Sequence, residues 1–171
     1  MDAPGLRAAQ QPLKDRYRED PAAAVVTLQA AGSLAESTVA CSVTTGAAMV
    51  EAGLHPATGG DGTLACSGDM LLQALVACAG VTLRAVATAR GIDVEGTVRA
   101  EGDLDFRGTL GIDRDAPVGF SDVRLLFDLA SDAPAEDLDA LIETTRRYCV
   151  VFQTLAEPPK LSIRRASLPR E

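Results

Sequence analysis

The sequence predicts an α+β domain with a mostly antiparallel sheet. Three observations lead to this fold class. The 171-residue chain has one long, nearly uniform apolar stretch over residues 69–90. Residues 123–129 alternate between apolar and mostly polar side chains, as a half-buried strand does. The predicted elements follow in the order strands, long helix, strands, helix and short strand, which is typical of segregated helices and strands.

The apolar stretch is predicted to be one helix of about 21 residues, roughly 31 Å long. It is rich in Ala and Leu, which are strong helix formers. Ser67 is a candidate N-cap, and Asp69 in the first turn suits the helix dipole. Gly91 is a natural stop. Because Arg84 interrupts the apolar run, a buried core helix is favoured over a membrane span.

The chain before this helix is predicted to contain two strands. We expect residues 1–11 to be disordered, and residues 12–21 to form a charged surface arm or a short helical turn. The predicted domain boundaries are therefore an N-terminal arm, 1–21, and a single domain, 22–171. Residues 22–30 and the alternating Val39, Cys41 and Val43 predict strands, with Cys41 facing the core.

Further strands and a second helix are predicted after the long helix. The glycine-rich residues 46–62 precede it as a loop. Residues 92–100 predict a strand, and residues 102–117 a hairpin connection. A helix start near Pro134 leads to an amphipathic helix that reaches about Tyr148. Its predicted apolar positions are Leu138, Leu141, Thr145, Tyr148 and Phe152. Leu161 and Ile163 predict a last short strand.

The composition argues against nucleic acid and anionic membrane surfaces as partners. The formal net charge is −8, there is no Trp, and aromatic residues make up 4% of the chain. The N-terminus has no apolar signal core, which predicts a cytoplasmic protein. In that compartment, structural disulfides are not expected.

Four cysteines, at positions 41, 66, 78 and 149, are the candidate reactive groups. No pair has the CxxC spacing, and with one histidine a zinc site using His55 is poorly supported. Cys78 lies in the middle of the long helix and Cys149 in another apolar context. Burial in apolar surroundings makes a thiol inert, so the residues alone favour core cysteines over a catalytic thiol. Cys66, beside the start of the long helix, is an alternative reactive thiol.

Two segments resemble the signature of the OsmC/Ohr family. They are GGDGTLACSGDMLLQALVACAGVTL (residues 59–83), with its LLxAxxxC pattern, and RRYCVVFQTL (residues 146–155), which holds the second cysteine. The resemblance extends from about residue 25 to residue 163. It implies an intertwined homodimer in which mostly antiparallel sheets wrap around two long central helices.

The resemblance also implies thiol peroxidase chemistry. Cys78 matches the peroxidatic position and Cys149 the resolving position. Organic hydroperoxides would be reduced to alcohols through a sulfenic acid and a disulfide, with an external dithiol or lipoyl-type reductant and no bound cofactor or metal.

The sequence departs from the family pattern at the residues that tune the thiol. Gly68 stands where the family has a glutamate directly after a proline, with Asp69 next to it and no proline, and no arginine occurs around residues 32–33. Val150 stands where proline usually follows the second cysteine. The supporting candidates are therefore Asp69, His55, Arg16 and Arg18. These departures also motivate an alternative function, a stress protein without peroxidase activity that binds a small apolar or thiol-reactive ligand.

Overall fold

An antiparallel sheet and a long central helix form the centre of the computed structural model, which describes residues 3–33, 42–43 and 52–163. Its helices are α1 (Ala3–Glu19), α2 (Ser67–Arg90), α3 (Phe106–Thr109), α4 (Ala135–Tyr148) and α5 (Val150–Ala156). Its strands are β1 (Val25–Ser33), β2 (Ser42–Val43), β3 (Ala52–Gly53), β4 (Ala65–Cys66), β5 (Glu95–Asp105) and β6 (Phe120–Ala130). The predicted α+β class is confirmed.

The main sheet has the strand order β2-β1-β5-β6, and all of its neighbours pair antiparallel. Val98 lies opposite Phe127 and Ala100 opposite Leu125, so these four side chains share one face. Val98 and Ala100 are fully buried, whereas the intervening Arg99 is exposed. The alternation in the sequence thus separates two faces of the sheet. One is a core face, which packs on α2, and the other is a charged outer face.

The central helix α2 has 24 residues and is the core helix that the sequence predicts. Cys66, rather than Ser67, is its N-cap, and Gly91 ends it in a left-handed conformation with φ of +66°. By length and composition α2 would be able to cross a membrane. Its buried residues nevertheless pack into the protein core; they are Leu72, Leu75, Val76, Ala79, Gly80, Leu83 and Ala87.

The predicted amphipathic helix is confirmed as α4, which ends at Tyr148. Leu141 and Thr145 are fully buried, and the Thr145 hydroxyl donates to the Leu141 carbonyl oxygen. Tyr148 does not share this face, because its side chain is 60% exposed. The chain bends at Cys149, which ends α4 and caps α5.

The two ends of the described chain differ from the predictions. Residues 3–11 belong to α1 instead of being disordered. Near the end of α1, Tyr17 is 2% exposed and its hydroxyl donates to the Ala57 carbonyl oxygen at 2.9 Å. Leu161 and Ile163 form no strand and are exposed. Cys41 lies outside the described residues, and the division into an arm and a domain stays a prediction.

The predicted hairpin is present, since β5 and β6 pair antiparallel, and the segment that connects them contains α3. Asp105, which is 8% exposed, caps α3 by accepting from the Arg107 backbone N–H at 3.0 Å. The Arg107 guanidinium also donates to both carboxylate oxygens of Asp105. These hydrogen bonds outweigh burial and hold the pKa of Asp105 below its ordinary value.

We predict that Asp105→Asn destabilises the fold at neutral pH by about 1–3 kcal/mol, because a buried charge-assisted pair is lost. A carboxyl with a lowered pKa stabilises the fold above its unfolded-state pKa, and this contribution disappears as the pH falls through the folded-state pKa. Urea unfolding should therefore show a gap between parent and variant at pH 7 that closes in acid.

The matched control is Asp128→Asn, which removes an exposed carboxylate paired with Arg99 at 2.6 Å. Its cost should be below about 1 kcal/mol because the pair is solvated. Equal losses for the two variants would contradict a special role for Asp105.

Candidate functional site

The structure brings Cys78 and Cys149 together. Cys78 lies in the middle of α2, and Cys149 lies at the junction of α4 and α5, which both pack against α2. The two thiols are close enough for each to shift the pKa of the other. Cys149 is fully buried and Cys78 is half-buried, so Cys78 is the more accessible member of the pair.

The first turn of α5 supplies hydrogen-bond donors to both sulfurs. The first backbone N–H groups of a helix have no partner inside the helix. That of Phe152 donates to the Cys149 sulfur at 3.5 Å, and those of Val150 and Val151 lie near enough to the Cys78 sulfur to lower its pKa. The bend at Cys149 therefore places the first backbone N–H groups of α5 beside the Cys78 thiol of α2.

These contacts give the two thiols opposite acidities. Burial raises the pKa of Cys78, but donation from Val151, Cys149, Val150 and Thr82 outweighs it, so the pKa lies below its ordinary value. Burial also raises the pKa of Cys149, and the neighbouring Cys78 raises it further, to about 11. At neutral pH, Cys78 is thus the better thiolate and Cys149 keeps its proton.

An apolar cleft of about 520 Å³ lies between α2, α5 and β6. Two residues of its lining, Leu75 and Phe152, are neighbours of the two cysteines. Leu75 lies three residues before Cys78 on the same side of α2, and Phe152 bonds to the Cys149 sulfur through its backbone N–H. The other apolar side chains of its lining are Leu71, Phe120, Val123, Leu125, Leu155 and Ala156.

Cys78 also lies within an exposed apolar stripe on α2, here called the α2 seam. The seam consists of Leu71, Ala74, Cys78, Val81 and Ala85, of which all but Cys78 are exposed. The alternating spacing of three and four residues is the pattern of a helix that packs along another helix.

Two of the supporting candidates lie together but away from the thiols. Asp69 interacts electrostatically with His55, while burial raises the pKa of Asp69. His55 stacks on Phe106 with ring centroids 5.0 Å apart, and its Nδ1 accepts from the Ala57 backbone N–H at 3.0 Å. Asp69 precedes Cys78 by nine residues, which corresponds to about 14 Å along the helix and the opposite side of it.

The remaining candidates lie elsewhere in the described structure. Arg16 and Arg18 are exposed on α1, where Arg18 pairs with Asp15 at 2.7 Å. Cys66 lines a second cavity of about 390 Å³ together with His55. In the described part of the chain, no group of three His, Cys, Asp or Glu side chains is arranged to hold a metal ion, so the zinc hypothesis gains no support there.

The sequence analysis did not identify Thr82, Val150 or Val151 as site residues. Val150 and Val151 act through their backbone N–H groups, which any residue type provides, so no sequence pattern identifies them. Thr82 could have been identified, because it follows Cys78 by four residues and so lies on the same helix face.

We predict that alkylation by iodoacetamide at pH 7.5 modifies Cys78 at least about tenfold faster than Cys149, because their thiolate fractions differ strongly. Mass spectrometry of the two cysteine-containing peptides over time measures both rates. Cys66, half-buried in the other cavity, is the internal reference. Faster labelling of Cys149 than of Cys78 would contradict the assignment of the accessible thiolate.

The fold has a counterpart among solved structures. An OsmC-like hydroperoxide resistance protein from Jannaschia sp. CCS1 aligns with a TM-score of 0.56 and 18% sequence identity, over 84% of this chain and 95% of that chain. At this identity the likeness concerns the fold. The comparison with curated proteins finds no match.

A family model supplies the assignment at the level of sequence. The model for OsmC-like proteins matches residues 60–164, which is more than half of the chain and includes both Cys78 and Cys149. The protein therefore belongs to the OsmC-like family.

Proposed function

We propose that this protein is a thiol-dependent reductase of organic hydroperoxides that uses Cys78 and Cys149. The observation that carries the proposal is the pairing of a half-buried thiol of lowered pKa with a fully buried thiol that keeps its proton. The first thiol is suited to attack an oxidant, and the second is placed to react with the product of that attack.

The first step is attack of the Cys78 thiolate on the terminal oxygen of the hydroperoxide. A sulfur–oxygen bond forms, the oxygen–oxygen bond breaks, and the alkoxide that leaves takes a proton from water to become an alcohol. Cys78 is then a sulfenic acid. The Cys149 sulfur displaces its hydroxyl as water, which forms a disulfide and prevents further oxidation of Cys78.

The apolar cleft supports an organic substrate. Its lining would bury an alkyl or aryl group at about 25 cal/mol per Å² of apolar surface, a gain that hydrogen peroxide cannot make. Since Leu75 and Phe152 line the cleft and are neighbours of Cys78 and Cys149 along their helices, we expect a group bound there to place its hydroperoxide near Cys78.

An external dithiol, such as a lipoyl group, would complete the cycle by reducing the disulfide. The reaction requires no bound metal or prosthetic group, because the two electrons pass directly from the cysteine sulfur to the peroxide oxygens. The three described cysteines are free thiols, and the cycle needs a supply of reductant, so we place the protein in the cytoplasm.

The α2 seam supports a homodimer in which two copies of α2 pack along each other. Its exposed apolar residues surround Cys78. In an apolar 18-residue stretch of α2, only 39% is buried within one chain. A second copy would cover the seam and place the thiol at the subunit interface. Asp69, His55, Arg16 and Arg18 stay candidates for a supporting role.

We predict that Cys78→Ser abolishes the consumption of cumene hydroperoxide, because the attacking sulfur is removed. Cys149→Ser should turn over more slowly than the parent and accumulate sulfinic acid at Cys78, because only the external dithiol is then left to react with its sulfenic acid. Peroxide loss with dithiothreitol or dihydrolipoamide present measures turnover, and mass spectrometry detects sulfenic and sulfinic acid at Cys78.

Cys66→Ser provides the matched thiol substitution outside the pair and should retain the parent rate. Unchanged consumption by Cys78→Ser would refute the proposed reaction. If peroxide instead leaves both thiols of the parent titratable, the alternative of a ligand-binding protein without peroxidase activity is favoured.

We predict that Val81→Lys converts the dimer to a monomer, because it introduces a charge into the middle of an apolar helix contact. Val81 is 39% exposed in the single chain. Sedimentation velocity at micromolar concentration distinguishes the two states. Val118→Lys is the control, since Val118 is 67% exposed on the connection between β5 and β6 and lies outside the seam. A parent protein that sediments as a monomer would rule out the dimer.

A further inference from the structure

The second cavity, at the start of α2, has the size and the lining of a small-molecule site. Its volume of about 390 Å³ lies within the range of ~300–1,000 Å³ that is usual for such sites. Of its polar side chains, those of Thr58 and Thr109 donate to backbone carbonyl oxygens. The other polar side chains are His55, Cys66 and Ser67. The rest of the wall is mostly apolar and includes Leu54, Leu71, Leu104, Phe106, Val118 and Phe120.

Backbone and ring contacts fix the orientation of His55. Its Nδ1 accepts a hydrogen bond from the Ala57 backbone N–H at 3.0 Å, so the neutral ring carries its proton on Nε2. The ring stacks on Phe106 with an interplanar angle of 13°. The Tyr17 hydroxyl donates to the Ala57 carbonyl oxygen at 2.9 Å and ties this loop to α1. Among the described residues the ring makes no other hydrogen bond, so Nε2–H is a fixed donor available to a ligand.

Strand pairing brings Cys66 to the same cavity. Strands β3 and β4 pair in parallel with Gly53 opposite Cys66, and His55 follows Gly53 by two residues. The Cys66 side chain is half-buried and makes no cap hydrogen bond at the start of α2. A thiol and an N–H donor therefore share the lining of one mostly apolar cavity.

We propose that this cavity is a second ligand site, which binds small apolar carbonyl compounds and adds covalently to those that are α,β-unsaturated. The apolar wall buries the hydrocarbon part, and His55 Nε2–H donates to the carbonyl oxygen. The Cys66 thiol loses its proton to water, and its sulfur attacks the β-carbon. A sulfur–carbon bond forms, the carbon–carbon π bond breaks, and its electron pair moves to the carbonyl oxygen as an enolate.

Water then protonates the enolate at its α-carbon, so the net reaction adds the thiol S–H across the double bond. Neither Cys78 nor Cys149 takes part. The site is therefore independent of the proposed peroxide reduction.

The test compares two aryl reagents on the full-length protein. Benzylideneacetone carries a conjugated carbonyl group, whereas benzyl bromide carries none. Mass spectrometry of the Cys66 peptide, after borohydride fixation of the ketone adduct, gives both initial rates, and glutathione supplies the intrinsic reactivity of each reagent. We expect Cys66 to prefer benzylideneacetone about fivefold more strongly than glutathione does, because one hydrogen bond holds the carbonyl oxygen.

Two variants of His55 separate the donor from the local fold. His55→Asn keeps an acceptor for the Ala57 N–H but does not reach the position of Nε2, whereas His55→Gln reaches it with an amide N–H. We expect His55→Asn to lower the preference of Cys66 for the ketone to that of glutathione, with the benzyl bromide rate unchanged, and His55→Gln to retain most of the preference.

Ser67→Ala is the matched control, because it removes another polar side chain of the same lining. It should keep the preference for the ketone, and a loss in this variant would overturn the role of His55. An unchanged preference in His55→Asn would also overturn it. A parent protein whose Cys66 shows no more preference than glutathione would refute the site, and this comparison decides the proposal without any variant.

Discussion

The packing of the apolar helix α2 against a sheet and two other helices governs this structure. The buried residues of α2 meet the core face of the sheet on one side, with Val98 and Ala100 fully buried there. Helices α4 and α5 cover another side and bring Leu141 and Cys149 into the same core. The thiol pair is a consequence of this packing, because the chain bends at Cys149 where it lies against α2.

The order of helices and strands along the chain was predictable because the main elements have strong local patterns. The apolar run of α2, the alternation in β6 and the three-to-four spacing of α4 each reveal one element without knowledge of its neighbours. The helix α1 has no such pattern, since its sequence is mostly polar, and it is held by tertiary contacts such as the hydrogen bond from the buried Tyr17 to the Ala57 carbonyl oxygen. Only tertiary structure reveals such contacts. The alternation of Leu161 and Ile163 was too short to identify a strand.

The candidate site was predictable only in part. The two cysteines were identified through the family resemblance, whereas their apolar surroundings alone favoured inert thiols. What changes that expectation is the set of donors at Cys78, and the two that α5 supplies are backbone groups. Their position depends on a bend of one residue at Cys149, and a pattern of side chains does not locate such a bend. The nine-residue distance from Asp69 to Cys78, in contrast, is readable from the sequence and separates them on a single helix.

Among the described residues, the groups that lower the pKa of Cys78 are uncharged, and this gives the proposed cycle a property that a buried cation would not. Once Cys78 is oxidised its sulfur is neutral, and an arginine placed against it would then be left without its counter-charge, at a cost of several kcal/mol in a buried site. Hydroxyl and N–H groups incur a smaller loss. The same change acts on Cys149, whose pKa is raised to about 11 by burial and, further, by the neighbouring Cys78. When the charge on Cys78 disappears, one cause of that rise disappears with it, so the resolving thiol becomes easier to ionise at the step that requires it.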